Sequence, residues 1–399
     1  MQTKKIMILG ASILQLPAIE AAVEMGLSVV AVDMNPEAIG FQVPGIQTEV
    51  ISTIDIPKVL EAAKKHKIDG IMTLASDMPM RTVAAVSKEL GLVGITEDTA
   101  VKATNKAEMR KALEAAGVPV PKFFRVTNEE GFSLATREMS GAFMVKPADN
   151  SGSRGIIKVP ATATAEEKAQ AYAYSWENSR SGDVVVEEYM EGPEVSVETL
   201  TVDGICHVIQ ITDKITTGSP YFVEMGHTQP TAHSPEIAEK IRQVAIAANR
   251  AIGIMSGPSH TEIIVTKDGP KIVELGARLG GDCITTHLTP LSTGVNMVRC
   301  CIRIALGETP DLTPKFSKGS AIRYFQQTPG VVKEISGIDA AEKMPGVRQI
   351  SIVHGVGEKV GIINSSAARM GFVIAQGDDR KNAIDLCEKA MDSIKITIL

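Results

Sequence analysis

The chain of 399 residues has few cysteines, no excess of positive charge and no apolar run of membrane-spanning length. Cys206, Cys283, Cys300, Cys301 and Cys387 form neither a CxxC pair nor a zinc spacing, and their odd number argues against a secreted disulfide framework. Reduced thiols in a cytoplasmic protein are the expectation. A formal charge of −6 offers no broad attraction for nucleic acid or an anionic membrane, so neither is expected as a partner and small anions must be held locally. The start, MQTKKIMILGASILQL, is basic, but its short apolar run suits a buried strand entering a helix rather than export or insertion. Two phosphate-binding fingerprints are also missing. Ala11, Ser12, Ile13 and Leu14 after Gly10 break G-x-G-x-x-G, which counts against a nicotinamide cofactor, and G-x-x-x-x-G-K-[ST] does not occur. Low-complexity segments and fixed-period repeats are absent as well.

What is present is a multidomain globular pattern, because 399 residues exceed one ordinary core. KKIMILGAS, LPAIEAAVEMG, LSVVAVDMNP, IPKVLEAAKKHK and IDGIMTLASD alternate strand and helix, which predicts a parallel α/β sheet over roughly the first hundred residues. Ligands of such sheets gather at strand carboxyl ends, here Gly10, Asp33 and Ser76–Asp77. Capping and turn formation are the rival explanations for Asp33 and Asp77. A second unit begins near residue 96, with Thr104 as the cap of a helix that Gly117 ends. Its strand AFMVKPADNSGSRGIIKV puts Lys146 before a small-residue loop, Asn150 to Gly155, whose amides can converge on phosphate oxygens or simply make a hairpin turn. TTHLTPLSTGVNMVRCCIRIALG reads as one helix ending at Gly307, with Cys300 and Cys301 in its apolar pattern. From about residue 310, short strands and a closing helix suggest a small α+β domain.

The stretch HTEIIVTKDGPKIVELGARLGGD carries the sharpest chemical signal. A three-residue loop, Lys267–Asp268–Gly269, pairs Thr266 with Pro270, Ile264 with Ile272 and Glu262 with Glu274. Opposed acids on one face repel unless a cation lies between them, so this register asks for a divalent metal or else for two solvated acids on an exposed face. A two-residue turn would send the acids to opposite faces.

In order and spacing, these pieces resemble the ATP-grasp superfamily over nearly the whole chain. Within it they look most like the carboxylate–amine ligases related to carbamoyl-phosphate synthetase, glycinamide ribonucleotide synthetase and the L-amino acid ligases. The resemblance implies an α/β chain with a Rossmann-like pre-ATP-grasp domain at 1–95, the two ATP-grasp subdomains at 96–185 and 186–308, and a C-terminal α+β domain at 309–399. It implies that Lys106, Lys146 and the loop Ser151, Gly152, Ser153, Arg154 and Gly155 contact ATP phosphates. In VVVEEYMEGPE, Glu187, Glu188, Tyr189 and Met190 match the hinge that reads adenine, and Glu194 matches the acid that takes the ribose hydroxyls. Glu262 and Glu274 match the acids that bind Mg2+, with Mn2+ as an alternative, and Arg278 matches the arginine facing the reacting carboxylate or acyl phosphate. Many relatives read Glu-x-Asn-x-Arg where this chain has Gly276, which puts a second metal ion in doubt. Lys214, Glu224, His227, Gly280 and Gly281 are candidates for the substrate pocket. The implied partners are a small-molecule carboxylate and an amine, and a homodimer is compatible with the pattern. Two rivals are a purine-pathway ligase for a phosphoribosyl substrate, which lacks its basic cluster here, and a non-catalytic ATP-binding protein, which has little use for Arg278.

Overall fold

The computed structural model describes residues 3–150, 152 and 154–399. The N-terminal sheet is parallel, with Gln47–Val50, Ser28–Asp33, Lys5–Leu9 and Gly70–Thr73 side by side in that order. Its central strand, KIMIL, has Ile6, Met7, Ile8 and Leu9 fully buried, as a strand covered on both faces requires. One core runs from Met7 and Leu9 to Ile263 and Leu275 of the acid-bearing hairpin. Another joins Ile6 and Ile8 to Leu200 and to the helix Met297–Ala305. The N-terminal sheet is therefore packed firmly against the middle of the chain, and its strand ends are held in place over it.

A second, antiparallel sheet orders Phe123–Val126, Val184–Glu188, Phe143–Pro147 and Ile157–Val159. The helices Glu129–Arg137 and Ala165–Glu177 cover it, with the Phe132 and Tyr172 rings 4.9 Å apart at the contact. The largest sheet has eight antiparallel strands in the order Gly269–Gly276, Gly257–Thr266, Glu194–Val202, Ile205–Thr216, Glu224–Gln229, Gly319–Tyr324, Gly371–Gly377 and Val347–Ile352. Its last three strands belong to the C-terminal α+β domain, which thus extends the central sheet; a separate three-stranded sheet, Lys359–Val360, Gly330–Ser336 and Lys395–Ile398, lies beyond it.

Two local expectations are corrected. The cap near residue 105 is Asn105, whose Oδ1 accepts from the amides of Ala107 and Glu108, while Thr104 Oγ1 donates back to Ala100 O at 2.7 Å inside the preceding helix. The single helix expected up to Gly307 is three segments, Ile284–Leu288, Thr289–Thr293 and Met297–Ala305. Gly294, at φ 78°, takes the left-handed conformation that ends the second of them. Cys300 and Cys301 do pack in the core.

Candidate active site

The hairpin connects its strands through two residues, Lys267 and Asp268, with Thr266 paired to Gly269 and Ile263 to Ile272. That is not the expected three-residue loop, and carried on regularly it would part the two acids. A β-bulge between Glu262 and Ile263 absorbs the extra residue, Val273, and returns Glu262 to a position opposite Glu274. Cross-strand pairing then gathers one polar face, with Glu198 opposite His260 and Lys214 opposite His227.

Each acid of the pair holds a lysine. Lys106 Nζ lies 2.9 Å from Glu274 Oε1 and 2.7 Å from the Asn150 carbonyl, so the start of its helix is tied to both the hairpin and the small-residue loop. Lys214 Nζ lies 2.9 Å from Glu262, 2.6 Å from Glu194 and 3.6 Å from Glu224. Burial alone would lower the Lys214 pKa, but these three carboxylates outweigh it and hold the ammonium well above its ordinary value. Glu262, also opposed by burial, is kept well below the usual carboxylate range by Lys214 and His260. Glu194 is pushed up by burial and by Glu262 and Glu224. Among the described residues no cluster of three or more His, Cys, Asp or Glu side chains is arranged for a metal. Two facing carboxylates fit a hard cation that takes its other oxygens from phosphate and water.

Lys146 pairs with Glu187, and so does Arg110, whose Nε and Nη2 lie 3.0 and 2.9 Å from Glu187 Oε2. Arg110 Nη2 also donates to the Val273 carbonyl at 2.6 Å, beside Glu274. Burial would raise the Glu187 pKa, yet the two cations bring it down to about 2. The Glu187 side chain is thus engaged as their counter-ion and is only 2% exposed. In the hinge, the Glu188 and Tyr189 amides donate to Lys122 O and Ala142 O, and the Met190 side chain is buried. The phosphate-loop candidates Ser151 and Ser153 lie outside the described residues. Of the others, Gly152 and Gly155 have φ of 67° and 77°, and Ser175 Oγ donates to Gly155 O at 2.7 Å. Asp149, just before the loop, accepts from the Arg180 and Ser181 amides, each at 2.9 Å.

Arg278 forks onto Asp77, in the loop after the strand Gly70–Thr73 of the N-terminal sheet, Nε to Oδ1 at 2.8 Å and Nη2 to Oδ2 at 3.2 Å. Asp33 has the rival role foreseen for it: its carboxylate accepts from the Ala11 and Asn35 amides at 2.8 and 2.9 Å. His227 is 1% exposed, with Nε2 3.3 Å from Asp282 Oδ2. Asp282 in turn accepts from both terminal guanidinium nitrogens of Arg369 at 2.7 Å, and Arg369 Nη1 also donates to the Glu224 carbonyl at 3.0 Å. Gly280 packs where a Cβ would stand 2.6 Å from His260 Nδ1, and a Cβ on Gly281 would meet only Ala75, at 3.6 Å. His260 Nδ1 is 2.6 Å from Glu198 Oε1 and its Nε2 is 3.5 Å from Glu262. Burial would lower its pKa, but Glu198 raises it to about 9.

Sequence reading missed Arg110, His260, Glu198, Asp282 and Arg369. Two of them had a local signal. Arg110 follows Lys106 by four residues on one helix, and His260 precedes Glu262 by two on one strand, so each shares its neighbour's face.

Through Lys106 and Arg110 one helix thus ties the four-stranded sheet and the residue before the small-residue loop to the acid-bearing hairpin. Residues 139–286 match the ATP-grasp domain, and residues 323–398 match the L-amino acid ligase C-terminal domain 2. The chain thus pairs an ATP-grasp domain with an L-amino acid ligase C-terminal domain, and the relatives it resembles include carboxylate–amine ligases. It is 29% identical over 342 residues to an uncharacterized protein of Sinorhizobium fredii, covering 84% of this chain and 69% of that one. It is 24% identical over 341 residues to the L-arginine-specific L-amino acid ligase of Bacillus subtilis, covering 83% and 81%. The crystal structure of an L-amino acid ligase from Bacillus licheniformis superposes with a TM-score of 0.86 at 21% identity, over 100% of both chains. No helix among the described residues is long and apolar enough to cross a membrane.

Proposed function

We propose that this enzyme joins a carboxylate to an amine with ATP, through an acyl phosphate, and that both reactants are of the amino-acid class. The observation that carries the proposal is the bulged hairpin, which sets Glu262 and Glu274 face to face with Lys214 on one acid and Lys106 on the other. In this reading Lys106 exchanges Glu274 for phosphate oxygens, and Lys146, held by Glu187, meets the same triphosphate under the loop Ser151–Gly155. The backbone of Glu188–Met190 borders the adenine, and Glu194 takes the ribose hydroxyls. Glu262 and Glu274 would hold magnesium, which would supply positive charge to the phosphates. The domains follow the division 1–95, 96–185, 186–308 and 309–399.

A substrate carboxylate oxygen attacks the γ-phosphorus, the bond to the bridging oxygen breaks, and ADP leaves. The amine then attacks the acyl carbon and phosphate departs, leaving the amide. Arg278 faces the acyl phosphate oxygens. Lys214, Glu224 and His227 border the amino-acid pocket, whose floor is closed by Gly280 and Gly281; Glu224 suits an ammonium group. No enzyme nucleophile takes part, so rate comes from positioning and charge. Five free thiols suit a reducing cytoplasm.

Phosphate release from ATP, with amino acids offered singly and in pairs and products read by mass spectrometry, tests the proposal. Release that requires a carboxylate and yields a dipeptide-type amide is expected. Release without any carboxylate, or only with a phosphoribosylamine, refutes it.

A further inference from the structure

The Asp77–Arg278 fork joins two distant parts of the chain at the reacting centre, and three features show that the local structure is shaped around it. First, the side chains are only 13% and 16% exposed, and Asp77 occupies a single edge of the guanidinium, that of Nε and Nη2. Nη1 spends one hydrogen on the Leu279 carbonyl at 3.3 Å. One N–H on each terminal nitrogen is left, and a guanidinium with free terminal N–H groups can grip an oxyanion.

Second, the loop carrying Asp77 turns through Ala75 at φ 57°, a left-handed conformation that strains a non-glycine residue and gathers at functional sites. Third, position 276 has no side chain where one would collide with the fork. A Cβ there would stand 2.8 Å from Asp77 Oδ1 and 3.2 Å from Arg278 Cζ and Nε. A side chain at 276 and the Asp77 carboxylate compete for one space, so Gly276 accompanies the fork.

We infer that Asp77 is the positioning residue of Arg278, fixing the guanidinium so that its free N–H groups face the acyl phosphate, and that the N-terminal domain thereby builds part of the reacting centre. The inference rests on the ligase reading above. Asp77 itself touches no reacting atom; it acts through Arg278.

The test compares the full-length wild type, Asp77→Asn, Gly276→Ala and the double variant in phosphate release, using the amino-acid pair that supports the fastest turnover. Loss of a group that orients a catalytic residue typically costs about 10–100-fold, so Asp77→Asn and Gly276→Ala should each lower kcat by that much, with KM for ATP within about 3-fold of wild type. Both break the same contact, so the double variant should be no slower than Asp77→Asn alone. Should Asp77→Asn fail to fold, Gly276→Ala decides, since it keeps both charges and displaces only the fork. An active wild type with kcat within about 2-fold in either single variant, or with losses that multiply in the double, overturns this inference alone. A wild type inactive with every pair overturns the ligase reading and this inference together.

Discussion

Replacing Glu187 by Gln removes the one counter-ion shared by Arg110 and Lys146 while keeping the shape of the side chain. The folded carboxyl titrates near 2 against an ordinary value of 4.5, a difference that corresponds to about 3 kcal/mol. The side chain is 2% exposed, so solvent screening removes little of this. Breaking a buried ion pair from one side costs about 3–5 kcal/mol, the same range. The only tryptophan, Trp176, lies on the helix Ala165–Glu177 that covers the sheet bearing Glu187, so its fluorescence reports on that lobe rather than on the whole multidomain chain. In urea the Trp176 transition of Glu187→Gln should move down by roughly 1–3 M at pH 7. The sign of the pH dependence follows from the depressed pKa. The stabilisation is complete above about 4.5 and is lost as pH falls towards 2, so the gap between wild type and variant should be flat from pH 8 to 5 and close below that. A gap worth less than about 1 kcal/mol, or one that does not shrink in acid, would show that the triad is not the electrostatic unit described here.

Three further outcomes are expected. Lys214→Met removes the cation shared by Glu194, Glu224 and Glu262 and leaves Glu262 with His260, so the thermal midpoint should drop at pH 8 and recover partly at pH 5 as Glu194, already pushed up by burial, takes up a proton; a larger drop at pH 5 contradicts the network. Gly280→Ala drives a methyl to within 2.6 Å of His260 Nδ1 and 2.9 Å of a Glu198 oxygen, and should cost about 1–3 kcal/mol in calorimetry, whereas an unchanged midpoint would mean the pair yields freely. Glu274→Ala should lower phosphate release at least about 100-fold, as should excess EDTA on the wild type; activity equal to wild type in either case would remove the assigned role of that acid.

The N-terminal sheet was legible because its strands are apolar throughout and alternate with amphipathic helices, a pattern few other arrangements produce. The opposition of Glu262 and Glu274 was legible too, but by the wrong route. The loop is one residue shorter than expected, and a bulge, which leaves little trace in a short sequence, restores the register. Asp77 with Arg278, Glu187 with Arg110 and Asp282 with Arg369 are separated by 201, 77 and 87 positions, so only the tertiary fold could join them. The helix expected to run unbroken to Gly307 misled because its apolar spacing continues across Gly294, where the backbone does not. Strand order in the eight-stranded sheet was hidden for the same reason: Glu224–Gln229 pairs with Gly319–Tyr324 across nearly a hundred residues.

That last pairing makes the final ninety residues a continuation of the central sheet rather than an appendage. Cutting the chain after residue 308 would bare the hydrogen-bonding groups of Glu224–Gln229 along an open border, inviting other chains to stick there, and would take Arg369 away from Asp282. A change in the tail can therefore reach His227 through Arg369 and Asp282 without touching Lys106 or Lys146.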